Sequence, residues 1–143
     1  MKKSHIAPIW KESYRIGVPL LDAEHKNHFL AINTYIESLK LKQGVRYSLA
    51  IIDTIIDYAK THFIREETMM QEYGYPNLTK HTLSHSKFLI DVADYRGLIL
   101  GGFGIADELG LFLGDWITNH EIHADHQMKI FFESRDVPIE EIS

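Results

Sequence analysis

VRYSLAIIDTIIDYAKTHFIREETMMQEYGYP, residues 45–76, decides the fold. Leu49, Ile52, Ile55, Ile56, Ala59 and Phe63 recur at the three-and-four spacing that gathers side chains on one face of an α-helix. Gly74 and Pro76 end the run, as a C-terminal glycine followed by proline commonly does. His62 and Glu66 lie on it four residues apart, about 40° around a helix of 3.6 residues per turn. Both can therefore reach one point in the interior of a helical protein.

Three further helices are predicted around this one. The first spans about 21–42, with Leu30, Ile32, Tyr35, Ile36 and Leu39 periodic and Gly44 as its stop. The third spans about 77–98, with Asn77 as N-cap and Leu83, Phe88, Ile90 and Val92 along it. The fourth covers about 106–132, after a glycine-rich connection at Gly101, Gly102 and Gly104. Residues 1–20, with Pro8, Gly17 and Pro19, read as an extended arm pinned by Trp10 and Tyr14. Short connections between long helices imply antiparallel neighbours. The expectation is one all-α domain over residues 1–143, an up-down-up-down antiparallel four-helix bundle with an extended N-terminal arm.

Composition narrows the function. Net charge is −5 with neutral histidines and no basic stripe offsets it, so no nucleic-acid partner is expected. The absence of cysteine excludes disulfides, thiolate metal sites and cysteine nucleophiles. No apolar run follows Met1-Lys2-Lys3, and none reaches the roughly 18 residues of a membrane span. A soluble, cytoplasmic protein is the expectation. Histidine is in excess, with nine dispersed along 143 residues.

Those histidines fall into helix-compatible groups. His81 and His85 repeat the four-residue spacing of His62 and Glu66 on the adjacent helix. A chance surface pair explains either one alone; two on neighbouring helices point to a buried metal site. His25 stands near the start of the first helix, where a capping role is the plainer reading. Spacing alone pairs His120 with His123, because Asp125, five residues on, is rotated by about 140°. Imidazole and carboxylate without sulfur suit iron, zinc, nickel or copper alike.

Several stretches in order resemble the hemerythrin family. They are Trp10 with Tyr14 and Gly17, Leu-Asp-Ala-Glu-His ending at His25, and His-Phe-Ile-Arg-Glu-Glu at 62–67. Gly-Tyr-Pro at 74–76, His81 with His85, and Trp-Ile-Thr-Asn-His at 116–120 followed by Asp125 complete the set. The resemblance runs from Trp10 to about Phe131. It implies a non-haem centre of two iron ions. His81, His85 and His120 would hold one and His25 and His62 the other, with Glu66, Asp125 and an oxo or hydroxo group bridging. Asp125 then replaces His123 as the helix-four ligand, and a π-bulge between residues 120 and 125 would reconcile spacing with family.

Counting extends the implication. Two six-coordinate ions offer twelve positions; five histidines, two bridging carboxylates and a single-atom bridge fill eleven. The remaining position belongs to the ion with two histidines, and an open position distinguishes a reactive site from a structural one. The sequence also lacks Glu-x-x-His, the mark of carboxylate-rich ferritin-like bundles. The implied function is reversible dioxygen binding, with dioxygen as ligand and no catalytic residue. An oxygen-consuming enzyme or a reductase would be the fitting protein partner. By analogy His28, Phe63, Trp116, Ile117 and Ile122 line the dioxygen pocket, although plain core packing accounts equally for the apolar four.

His28 departs from the family, which usually has an aliphatic residue three positions after the first histidine. Facing the rim or water is its bland reading; donating a proton, or coordinating, is the sharper one. That departure supports the rival function, a di-iron enzyme acting on peroxide, nitric oxide or dioxygen. An oxygen or redox sensor module is a third reading. Met128 is a second departure, standing where a tyrosine is common.

Overall fold

The computed structural model describes residues 8–137, except for the side chain of His120. The first seven residues of the expected arm lie outside that description. A 3-10 turn (Glu12–Tyr14) precedes α1 (Pro19–Leu41), α2 (Val45–Glu72) and α3 (Leu78–Leu100). The fourth rod is α4 (Ala106–Asp115), a π-helical turn (Trp116–Glu121) and α5 (Ile122–Ser134) in succession. No strand occurs among the described residues, and the architecture is an all-α four-helix bundle. α1 packs on α2 and α4, and α3 packs on α2 and α4, an order compatible with up-down-up-down topology. Among the described residues no helix is long and apolar enough to cross a membrane.

Local chemistry explains the helix ends. Pro19, expected in the arm, instead opens α1, where its missing N–H costs nothing and its fixed φ suits the first turn. α1 stops at Lys42, not at Gly44: Lys42 adopts φ 52° and Gln43 N–H donates to the Ser38 carbonyl. α2 ends the same way at Gly74 (φ 69°), with Tyr75 N–H donating to the Met70 carbonyl at 2.8 Å. Both ends are Schellman motifs, and only the second uses the glycine for which a left-handed residue is easy. Asn77 precedes α3 but its side chain makes no capping bond.

Two apolar clusters fill the bundle at different heights. One contains Phe29, Ile52, Phe63, Phe88, Leu113 and Trp116. The other contains Leu21, Met69, Met70, Tyr75, Met128 and Phe132. Every rod passes from one cluster to the other, and on each the buried residues between are polar. Leu30, Leu83 and Ile90, counted among the periodic apolar positions, are instead exposed.

Asp22 fastens the arm at the lower cluster. Its carboxylate accepts the backbone N–H of Ile16 at 2.8 Å and of Gly17 at 3.2 Å. The arm then returns across α1, with Tyr14 stacked on Phe29 and Trp10 edge-on to both Phe29 and His25. Asp22→Ala strands the buried Ile16 N–H and the partly buried Gly17 N–H, so it should lower unfolding free energy by about 1–3 kcal/mol. Denaturant unfolding measures this; an unchanged midpoint would show that the aromatic contacts alone hold the arm.

Candidate metal centre

Between the two clusters each rod contributes polar side chains to one buried layer. His25 comes from α1, His62 and Glu66 from α2, His81 and His85 from α3, and Asp125 from α5. All six are buried. The four-residue spacing works on α2 and α3 as expected from helix geometry. His120, the remaining expected ligand, has its backbone at the end of the π turn; its side chain lies outside the described residues.

The carboxylates sit between the imidazoles. Glu66 Oε2 is 2.6 Å from His62 Nε2, while Oε1 is 2.7 Å from His81 Nε2 and 3.4 Å from His85 Nε2. Asp125 Oδ2 is 2.8 Å from His25 Nε2, and Oδ1 is 3.5 Å from His81 Nε2. Each carboxylate thus spans from the α1–α2 histidines to those of α3. Two groups of donors result: His25, His62, Glu66, Glu121 and Asp125 form one, Glu66, His81 and His85 the other.

Glu121 is the residue that sequence reasoning missed. It is buried, with Oε1 2.8 Å from His25 Nε2 and 3.5 Å from His62 Nε2. The signal was present: Glu121 stands four residues before Asp125, the same spacing that exposed the pairs on α2 and α3. The π turn lies at Trp116–Glu121, upstream of the expected interval and overlapping it only at His120 and Glu121. Regular helix resumes at Ile122 and carries Glu121 and Asp125 to one face. Within the turn, the Thr118 hydroxyl donates to the Gly114 carbonyl at 2.7 Å.

Whether this set suits metal ions can be judged from its own donors. His25 Nε2, His62 Nε2, Glu66 Oε2, both Asp125 oxygens and both Glu121 oxygens are buried without an aligned hydrogen bond, although several lie within 3 Å of one another. Buried polar atoms are normally paired, so atoms this close yet misaligned point at a shared centre. Metal–donor bonds of about 2.1 Å place adjacent octahedral donors about 3 Å apart and opposite ones about 4.2 Å apart. The five donors of the first group all fall within 4.8 Å of one another. The cluster fits a binuclear iron site.

Two carboxylates stand behind the rings without an aligned hydrogen bond to them. Glu24 Oε1 is 3.6 Å from His62 Nδ1, and its other oxygen accepts from Arg65 at 2.9 Å. Glu67, half-buried, has Oε1 3.9 Å from His85 Nδ1. Carboxylates behind metal-binding histidines fix ring orientation and raise basicity.

Among the proposed pocket residues, Phe63 stacks on His85 with ring centroids 3.8 Å apart, and Trp116 and Ile117 are buried. Phe88, expected on the third helix but not in the pocket, packs on Trp116 at 4.0 Å and edge-on to His28. His28 is fully buried, so it faces neither rim nor water. Ile122 is half-buried and lines an open surface cleft with Tyr14 and Ile16. A second cleft, of about 310 Å³ between Tyr75, Lys80 and His123, reaches the His81 edge of the layer.

Comparison with known proteins decides the family. No protein-family model matches the chain. It is 32% identical over 125 residues to a bacteriohemerythrin of Stenotrophomonas maltophilia, covering 83% of this chain and 76% of that protein. The chain belongs to the hemerythrin family. A bacteriohemerythrin of Clostridium acetobutylicum is 28% identical, with coverage of 83% and 96%. Myohemerythrin-1 of Phascolopsis gouldii is also 28% identical, with coverage of 85% and 91%. Hemerythrins are oxygen-binding proteins in general, and the His/Glu/Asp layer of this chain fits that family's di-iron site.

Protonation couples to metal loading in this hemerythrin-family layer. Burial disfavours charge on His62 and His81, but the adjoining carboxylates outweigh it and raise both to about 10. Burial likewise opposes ionisation of Glu66, yet His62, His81 and His85 hold it well below the usual range. Without metal, the raised values keep His62 and His81 protonated at neutral pH, whereas a ligand must be neutral. Loading with ferrous iron near pH 7 should release protons, and the release should shrink as pH rises through about 10. Dye-monitored proton release in weak buffer measures it; pH-independent release would contradict the raised values.

Proposed function

We propose that this chain binds dioxygen reversibly at a di-iron centre. His81, His85 and His120 would hold one ion and His25 and His62 the other, with Glu66 and Asp125 shared between them. The observation that carries the reading is the pair of carboxylates whose two oxygens face different histidine groups: Glu66 between His62 and His81, Asp125 between His25 and His81. Two iron ions held this way would supply the electrons that dioxygen binding requires.

The protein's own share is positioning and dryness. Glu24 and Glu67 stand behind His62 and His85, where their charge would raise the basicity of the rings. Phe63, Phe88 and Trp116 form an apolar wall beside the layer, which keeps water from the reacting atoms. The arm adds Trp10 over His25. Storage, delivery to an oxygen-consuming enzyme or exchange with a reductase in the cytoplasm are roles compatible with this assignment.

A second reading has specific support. The His28 imidazole is buried on the His25–His62 side, 3.4 Å from Glu121. A proton donor there favours net turnover of dioxygen, peroxide or nitric oxide over reversible binding.

An optical spectrum of the reduced, iron-loaded protein separates the two. A visible charge-transfer band that appears on admitting air and disappears under argon is expected for reversible binding. Immediate conversion to a stable diferric spectrum would reject the carrier and favour the enzyme. His28→Leu should lengthen the lifetime of the oxygenated form; an unchanged or shorter lifetime removes His28 from oxygen chemistry.

A further inference from the structure

We infer that Glu121 is an additional iron ligand, closing the coordination position beside His25 and His62, and that His28 positions it. The inference rests on the di-iron reading and deepens it.

Geometry places the carboxylate at that ion and not at the other. Oε1 is 2.8 Å from His25 Nε2 and 3.5 Å from His62 Nε2, and Asp125 Oδ2 is 2.8 Å from the same His25 atom. These are separations between neighbouring donors of one octahedron with bonds of about 2.1 Å. The second group, Glu66 with His81 and His85, does not include Glu121. Glu121 is 3% exposed and neither oxygen has an aligned hydrogen bond. A surface ion pair is thereby excluded as its purpose.

His28 supplies the other half. Its ring is fully buried, held edge-on by Phe88 and Trp116, with Nδ1 3.4 Å from Glu121 Oε2. One carboxylate oxygen thus faces the imidazoles of the metal layer and the other faces His28. A neutral or charged His28 can hold Oε2 through an Nδ1 proton while Oε1 coordinates. The two buried groups come this close although 93 positions separate them, and neither atom has another hydrogen-bond partner.

The ligand count closes as well. Seven family ligands and a single-atom bridge occupy eleven of twelve positions, and the twelfth is on the ion with two histidines. Glu121 Oε1 lies at that ion. Any small ligand for this position must displace a tethered carboxylate. An internal competitor bound nine-tenths of the time weakens an external ligand about tenfold.

Azide is the probe. The diferric protein is prepared as wild type, Glu121→Leu, Glu121→Gln and His28→Leu; iron per chain is measured, and azide is titrated by its charge-transfer band. Two irons per chain are expected throughout. Glu121→Leu should bind azide about tenfold or more tightly than wild type, with Glu121→Gln and His28→Leu between the two. X-ray absorption should show fewer light-atom neighbours per iron in Glu121→Leu before azide is added. Equal azide affinity in wild type and the Glu121 variants, with two irons in each, overturns the ligand while leaving the di-iron reading intact. A wild-type protein that does not hold two irons overturns both. Should Glu121→Leu fail to load, Glu121→Gln decides alone, since it keeps the shape and removes the charge.

Discussion

Burying several carboxylates and imidazoles in one layer is the constraint on which the rest of the structure depends. Glu66, Glu121 and Asp125 lie inside the bundle, between an aromatic cluster above and a methionine-rich cluster below. Each charge removed from water costs several kcal/mol unless a partner replaces the solvent. The nearest arginines, Arg15 and Arg65, stay at the surface on Asp22 and Glu24, so they do not neutralise the interior. Imidazolium or a metal ion has to. The apolar clusters on either side offset the penalty with their own burial and keep competing water away.

The support around the layer follows from that demand. Asp22 ties the arm to the first turn of α1, and Trp10 then covers His25. Glu24 lies between His62 and Arg65, so a surface ion pair stands 3.6 Å behind a buried ring. Phe63 lies flat on His85, which leaves that ring little freedom to rotate. The groups against the histidines thus come from neighbouring elements: Glu24 of α1 behind His62 of α2, Phe63 of α2 on His85 of α3, and Trp10 of the arm beside His25 of α1.

Much of this was legible in the residues. Regular helix spacing marks His62 with Glu66 and His81 with His85, because both pairs lie on straight α-helix. The fourth rod resisted the same treatment. Spacing paired His120 with His123, and family resemblance substituted Asp125, yet neither drew attention to Glu121. A π turn changes the residues per turn locally, so faces upstream and downstream of Glu121 cannot be read with one period. Measured back from Asp125 alone, Glu121 falls on the correct face. His28 was recognised as a departure but not as a partner, since a contact between α1 and the π turn has no signature along the chain. Leu30, Leu83 and Ile90 misled for another reason: periodic apolar residues need not face the core, and single exposed ones are ordinary.

The third carboxylate has an electrical meaning. Glu66 and Asp125 bring two negative charges to the layer; Glu121 brings another into a region where water cannot screen it. Added negative charge around a redox centre stabilises its more oxidised, more positive state. A bundle with two carboxylates and one with three can share every helix and still differ in how readily they surrender electrons. In this chain one side chain at the end of a π turn, where the backbone departs from regularity, would set that difference.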